Sequence, residues 1–377
     1  MKTFKITHGE IIDPSNLLTA AKNASIGKRY REENLVFTAH REEEIDKLHF
    51  ELSYFPKDGI PGNPLESSYH VGPYRRKQIY EPKPRIIMAL QYRDRVVQWA
   101  YYQKLNPLFD KQYIEHSYGC RKGKGTTAAR EQLQKWLRKV SRSSKKWYVL
   151  KLDIAKYFYR VDHEILMKIL SKHIKDELIL RDLYNLINCE ETPFGLPSGV
   201  QPELCDREEW LYSRGMPIGN LTSQMFANIY LNELDQFCKH KLHIRYYIRL
   251  VDDIIILWPD KHELKMILDE ISRFLDEELH LELNKKTCIR PAWLPVSFVG
   301  AQITPKKIRM RKSTRKRMFR RIKFIKKIFE AGMIAFEKLN NTMQSYFGLM
   351  EHFTAGNLLR KIIDEFSFRV FHDDNNS

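Results

Sequence analysis

The run YYIRLVDDIIIL, residues 246 to 257, sets two aspartates side by side in a stretch that otherwise reads as a buried strand, broken also by one arginine. An unpaired carboxylate in apolar surroundings protonates or finds a cation, and two adjacent ones repel each other as well. Two readings are open. Asp252 and Asp253 can form a turn between strands, although a tight hairpin turn without Gly or Asn is unusual. They can instead form a cation site, which requires a third carboxylate elsewhere. YVLKLDIAKYF supplies a candidate: Asp153 closes a β-rich run just before a turn into aromatic residues. Alone it reads as a solvated strand end. Together, two apolar strands that each deliver an aspartate can meet on one sheet and share divalent metals. Hard cations such as Mg²⁺ bind one or two carboxylates plus substrate phosphates. Two such ions can clamp the attacking and leaving oxygens of phosphoryl transfer.

The charge balance suggests whose phosphates these are. Lys and Arg number 64 against 47 Asp and Glu, a net charge of +17. That favours a polyanionic partner, with nucleic acid first and an anionic membrane surface second. Residues 306 to 327 alone carry 13 of the cations and no acid. With 377 residues, 43% of them hydrophobic, the chain can build a substantial core in one large domain or a few smaller units. Five dispersed cysteines without CxxC spacing give neither a disulfide framework nor a zinc site, so a reducing cytoplasm is expected. The N-terminus lacks an apolar core of signal-peptide length, and no run of about 18 apolar residues occurs, so no membrane partner is expected.

Along the chain, SNLLTAAKNASIGKRYREE reads as a helix capped by its serine, and EEEIDKLHFELSYF continues at helical spacing. PKDGIPGNPLESSYHVGPYRR reads as a loop. A short strand and an amphipathic helix follow in EPKPRIIMALQYRDRVVQWAYYQKLNPLF, then a Gly/Lys loop, SYGCRKGKG, leading into another helix. Residues 188 to 214 read as a loop insertion dense in Gly, Pro and acids. GMPIGNLTSQMFANIYLNELDQ opens a long helix, KHELKMILDEISRFLDEEL is another, and short strands precede the basic helical remainder.

LKLDIAKYF, GMPIGNLTSQMFANIYL, RLVDDIIIL, NKKT and SFVG stand in the order and spacing of the reverse transcriptase palm. Upstream, KPRIIMALQYRDRVVQ and SYGCRKGKG resemble the fingers motifs of bacterial reverse transcriptases, and downstream SYFGLMEHFTAGNLLR resembles their thumb. The likeness covers roughly residues 70 to 365. Mobile-intron enzymes carry a Gln-Gly-x-x-x-Ser-Pro type motif where this chain has Ile218-Gly219-Asn220-Leu221-Thr222-Ser223-Gln224, a form similar to that of diversity-generating retroelement enzymes and of related defence-associated reverse transcriptases. The resemblance implies an α+β fold, a right-hand polymerase with fingers, a palm of antiparallel sheet plus helices, and a helical thumb. Its expected divisions are an RNA-contacting N-terminal extension (1–80), fingers and palm (81–305) and a basic helical thumb (306–377).

The roles implied by resemblance follow residue by residue. Asp153, Asp252 and Asp253 are the expected catalytic and metal-binding residues, with Asp253 the weaker ligand or a charge-tuning neighbour; the cofactor is two Mg²⁺, with Mn²⁺ as an alternative. Phe158 would stand under the sugar and exclude a 2′-hydroxyl. Arg85, Arg121 and Lys124, with Lys122 and Lys83 nearby, would meet the triphosphate or template. Ile218 and Gly219 would touch the forming base pair, and Ile in place of the common Gln predicts low fidelity. Lys285 and Lys286 resemble the lysine region near the triphosphate. Phe298 and Gly300 resemble the turn that holds the primer end. Arg93 and Arg95, and Arg315, Arg317, Arg320 and Arg321, would grip nucleic acid. Leu250 takes the place of the tyrosine in the usual Tyr-x-Asp-Asp, which leaves the carboxylates intact and bears on primer positioning.

The resulting expectation is an RNA-directed DNA polymerase working on a dedicated RNA template in a bacterial retroelement or antiphage system. Its partners would be a structured RNA, deoxynucleotides and the cDNA product, with an accessory protein or a second copy left open. Removal of template RNA and target cutting would fall to other proteins. Competing readings are template-independent or protein-primed synthesis in phage defence, a catalytically weak protein that binds structured RNA, and a metal-dependent nuclease, which leaves the basic loop unexplained.

Overall fold

The computed structural model describes residues 3–53, 69–80 and 84–366, apart from 190, 198 and 203. Most of the loop expected at 56–76, and Lys83, lie outside them. The chain opens with helices α1 (His8–Ile12), α2 (Pro14–Ser25), α3 (Glu32–Ala39) and α4 (Arg41–Leu52). The cap of α2 stands two residues before the expected serine: it is Asp13, accepting the Ser15 backbone N–H at 2.9 Å, and Pro14 occupies the first turn, where no N–H is needed. A hairpin of β1 (Arg75–Tyr80) and β2 (Pro84–Ala89) leads into α5 (Tyr92–Asp110) and α6 (Thr126–Val140).

Strand β3 (Tyr148–Asp153) is followed by α7 (His163–His173) and α8 (Glu177–Ile187), each opened by an aspartate cap, Asp162 and Asp176. Then come α9 (Leu221–Gln236), β4 (Tyr246–Leu250), β5 (Asp253–Trp258), α10 (Lys261–Leu279), β6 (Cys288–Pro291) and a small meander, β7 (Val296–Phe298), β8 (Ala301–Ile303) and β9 (Ile308–Met310). Helices α11 (Lys312–Glu330), α12 (Phe336–Glu351) and α13 (Gly356–Phe366) close the described chain.

The central sheet is antiparallel with strand order β4-β5-β3-β6. Its strands read as continuous apolar runs because both faces are covered. Leu150, Leu152, Ile254 and Ile256 join one core with residues of α9 and α10, whereas Val149, Ile255 and Leu257 join a second core with α6 and the meander. The first core continues without a break into the N-terminal helices, where Leu17 and Leu48 are fully buried alongside Val97 and Tyr101 of α5. A buried polar cluster seals that junction: Asp182 accepts from His8 Nε2 at 2.7 Å, from the Tyr101 hydroxyl and from Arg181 Nε at 2.8 Å. Helices α11 to α13 form a third core around Met318, Ile322, Leu339 and Met343. All five cysteines are free. No helix among the described residues is long and apolar enough to cross a membrane.

Candidate active site

The hairpin turn falls one residue earlier than the paired aspartates suggest, with Asp253 already on its strand. Leu250 pairs with Asp253, so Val251 and Asp252 are the two residues of a tight β4–β5 hairpin turn, while Asp253 pairs directly with Asp153 on β3. The turn and the carboxylate cluster are one structure. Val251 has φ +58°, the sign required at the first position of a type II′ turn, where Gly is the usual occupant. A β-branched side chain there stores on the order of 1–3 kcal/mol and persists only where its surroundings hold it.

Arg249 provides much of that hold. It is fully buried and grips Asp235 of α9 with two bonds, Nε to Oδ1 at 2.8 Å and Nη2 to Oδ2 at 2.6 Å. Its Nη1 donates to the Val251 carbonyl at 3.1 Å and to Asn228 Oδ1 at 3.2 Å. Asn228 in turn donates to the Gly119 carbonyl at 2.7 Å. Gly119 must lack a side chain, because a Cβ there would lie 2.8 Å from the Val251 nitrogen. Burial alone would lower the Arg249 pKa, but the Asp235 carboxylate overrides it and holds the guanidinium above its ordinary value.

The three carboxylates sit in contrasting surroundings. Burial, then the charges of Asp253 and Asp153, push Asp252 up to about 6, opposed in part by its own backbone N–H and by Arg85 on β2. Asp253 has a cation of its own: Lys151 Nζ lies 3.1 Å from its Oδ1 and also donates to the Ser297 carbonyl at 3.4 Å. Asp153 is fixed through its backbone, its N–H donating to Thr287 Oγ1 at 3.2 Å and its carbonyl accepting from Asn284 N–H at 2.7 Å. That turn carries Lys285 and Lys286, both exposed, to the edge of the cluster.

These residues fit a hard divalent cation. All the donors are carboxylate oxygens, and their mutual repulsion, expressed at Asp252, is what bound positive charge relieves. Among the described residues no three His, Cys, Asp or Glu side chains come together closely enough to hold a metal ion by themselves. A site of one or two carboxylates completed by substrate phosphates has that open form.

Around the apex, Phe158 is half-buried, five residues beyond Asp153. The Ile218 carbonyl accepts from Met88 N–H at 3.0 Å, which docks the Ile218–Gly219 loop against β2, where Arg85 is exposed. Lys124 donates to the Glu115 carbonyl at 2.8 Å and lies over the Tyr118 ring. Leu250 packs against the second core, an apolar contact in keeping with its side chain.

Several expected contacts lie elsewhere. Arg121 serves as a brace: it bonds Asp110 at the end of α5 through Nε at 2.6 Å and the carbonyls of Ile114 and Ser117 at 2.9 Å. Its donors are thereby committed inside the loop rather than offered to a phosphate. Phe298 is fully buried in the second core and presents no side chain to a ligand. The turn it anchors, Val299–Gly300, is held by Arg130, whose Nε and Nη2 reach the Val299 carbonyl at 3.0 and 2.6 Å. Arg93 pairs with Glu51 and lies over Tyr69, and Arg95 bonds Asn34 Oδ1 at 3.3 Å, so both join α5 to the N-terminal helices. Arg95 also lines a cleft of about 630 Å³ with Lys28, Arg31, Lys77, Trp99 and Gly219. Slight burial and the charges of Arg95 and Arg31 push the Lys28 pKa down, so these cations repel one another. On α11, Arg315, Arg317, Arg320 and Arg321 are exposed while Met318, Ile322 and Ile325 are buried, the two-faced helix its sequence predicts.

The sequence reading missed Arg249 with Asp235, Lys151 and Arg130, and, although it singled out NKKT, the bracing of the Asp153 backbone by Asn284 and Thr287. Arg249 did carry a signal, as the other charged residue in the apolar run.

A profile described as "Reverse transcriptase (RNA-dependent DNA polymerase)" matches residues 75–303. Protein YkfC of Escherichia coli strain K12 is 26% identical over 285 residues, covering 64% of this chain and 70% of YkfC. The putative COX1/OXI3 intron 2 protein of Saccharomyces cerevisiae is 26% identical over 260 residues, covering 56% of this chain but only 30% of that protein. Among solved structures, telomerase from Candida albicans, in complex with a fragment of telomeric RNA, aligns over 88% of this chain and 58% of its own, with 17% identity and a TM-score of 0.48. The family profile spans more than half of the sequence, including both aspartate strands, the Ile218–Gly219 loop and the β1–β2 hairpin. The chain belongs to the reverse transcriptase family of RNA-dependent DNA polymerases, with the right-hand fold of that family.

Proposed function

We propose that this chain copies an RNA template into DNA, adding deoxynucleotides to a primer 3′-hydroxyl at the apex formed by Asp153, Asp252 and Asp253. The observation that carries this reading is the register that sets Asp253 opposite Asp153 and puts Asp252 in the adjoining turn. Two divalent cations, Mg²⁺ before Mn²⁺, would supply activation of the attacking hydroxyl and neutralisation of the triphosphate. The chain's own groups do the rest. Asp252 and Asp153 would hold the cations, and Asp253, paired with Lys151, would contribute charge more than ligation. Arg85, Lys124, Lys285 and Lys286 face the triphosphate, and Phe158 stands under the sugar. The Val299–Gly300 turn supports the primer end. The basic cleft beside Gly219 takes the template strand ahead of the site, and the exposed arginines of α11 follow the duplex backbone.

In this reading residues 1–80 are an RNA-contacting extension, 81–305 fingers and palm, and 306–377 a thumb. The setting is a bacterial retroelement or an antiphage system. The test is synthesis with all four deoxynucleotides and Mg²⁺ on RNA co-purified with the protein, followed by sequencing. DNA complementary to that RNA supports the proposal, and homopolymeric or repetitive DNA unrelated to any RNA replaces it with untemplated synthesis.

Two predictions follow from particular residues. Ile218 offers no amide to check the geometry of the forming pair, so Ile218→Gln should lower the error frequency several-fold on a defined template, read by sequencing products. On α11, the combined Arg315→Gln, Arg317→Gln, Arg320→Gln and Arg321→Gln variant should bind RNA–DNA duplex more weakly. Four lost phosphate contacts should flatten the slope of log K against log salt by about 3 to 4. An unchanged slope would remove α11 from the interface.

A further inference from the structure

We infer that the insertion between α8 and α9 is a clasp that sets the position of the Phe158 loop, and that Lys156 is a positioning residue for sugar discrimination. The inference rests on the reading of Phe158 as the wall against a 2′-hydroxyl. The loop after Asp153 closes a short helical turn, with Tyr159 N–H donating to the Lys156 carbonyl at 2.9 Å, and is braced further by the insertion. Lys156 has φ +49°, a left-handed conformation that a lysine adopts only when something else holds it. Its Nζ donates to the Val200 carbonyl at 2.8 Å and to Gln201 Oε1 at 2.7 Å, both in the insertion.

The following residues are held from the same side. The Phe158 carbonyl accepts from Met216 N–H at 2.7 Å and the Tyr159 carbonyl from Leu196 N–H at 3.1 Å. The Tyr159 ring meets Trp210 edge to face at 6.0 Å, and Trp210 is buried, with the Arg76 guanidinium 4.8 Å from its ring centre. Arg76 belongs to β1, so the clasp also ties the β1–β2 hairpin to this loop. Gly195 and Leu211 exchange both backbone bonds, at 2.9 and 3.0 Å, which closes the insertion on itself. Gly215, at φ +89°, passes so close that a Cβ would fall 2.5 Å from the Phe194 carbonyl.

Lys156, Phe158 and Tyr159 thus each take a contact from the insertion or its last residues, and Phe158 lies among them. A wall that rejects one hydroxyl works by distance, so its tolerance is a fraction of an ångström. Freed of its anchor, Lys156 can relax to ordinary backbone geometry and let Phe158 swing away from the sugar.

The experiment measures incorporation efficiency for each ribonucleotide against its deoxyribonucleotide, on a primed RNA template, in full-length wild type and variants. Lys156→Met and Gln201→Ala should each raise the ribonucleotide share, by about tenfold for Lys156→Met, through a lower KM for the ribonucleotide, and Lys156→Arg should restore it. Phe158→Ala is the control. If Phe158→Ala raises ribonucleotide use and neither Lys156→Met nor Gln201→Ala does, the clasp is overturned; a loss of both activities in step, with the ratio fixed, has the same meaning. If Phe158→Ala leaves the ratio unchanged, the wall reading itself fails and the clasp with it.

Discussion

Asp252→Asn is expected to abolish DNA synthesis while making the metal-free protein more stable. On the proposed role of Asp252, the loss follows from removing a carboxylate that would bind the cation only when ionised. Several kcal/mol of transition-state stabilisation correspond to a rate loss of roughly 10³-fold or more. The gain follows from the surroundings. Burial and two neighbouring carboxylates raise the folded-state pKa of Asp252 from an ordinary 3.8 to about 6. The folded state therefore binds a proton that the unfolded chain has released, so this group's contribution is complete below the unfolded value and is lost as pH rises through about 6. At pH 7 the ionised carboxylate penalises the fold by about 3 kcal/mol at most, and Asn removes that penalty. In chelator, Asp252→Asn should melt above wild type at pH 7 and alongside it at pH 4. Added Mg²⁺ should raise the wild-type midpoint above pH 6 and leave the variant's nearly unmoved. A variant that melts below wild type at pH 7 would show that Asp252 is not under electrostatic strain.

Asp235→Ala is expected to cause the largest loss of stability. Asp235 and Arg249 are both fully buried, and the carboxylate is the guanidinium's bidentate partner. Removing one member strands a buried charge and typically loses 3–5 kcal/mol, whereas replacing both by apolar groups is often close to neutral. Tyr247 would also lose the acceptor of its hydroxyl, now 2.6 Å away. Chemical denaturation should show the full loss for Asp235→Ala and much less for the double change Asp235→Leu with Arg249→Met. Synthesis should stay depressed in that stabilised double variant, because nothing then holds the Val251 carbonyl and the strained turn relaxes. Recovered synthesis would assign the pair to stability alone.

Features written as local pattern were legible in the sequence. The apolar strands around Asp153 and Asp252, the two-faced basic helix and the Ile218–Gly219 loop all follow from residue order and spacing. Features that depend on distant partners were not. Arg121 reads as a phosphate ligand in its Gly/Lys loop, yet Asp110, 11 residues away, captures it. Phe298 sits in a motif that suggests contact with a primer, but its strand alternates inward at Val296 and Phe298, and the period of 2 wins. The place of the hairpin turn was hidden, one residue before the aspartate pair, because Val251 supplies the positive φ that Gly normally signals. Asp235 looks like an ordinary helix acid until Arg249 is placed against it by the fold.

The most direct test is addition of a single nucleotide to a primer on four RNA templates that differ only in the templating base, with Mg²⁺ and one deoxynucleotide at a time. Addition by wild type of the complementary nucleotide well above the other three, and none by Asp252→Asn, is the predicted result. Addition that ignores the templating base, or activity that survives in Asp252→Asn, would contradict RNA-templated synthesis at this apex.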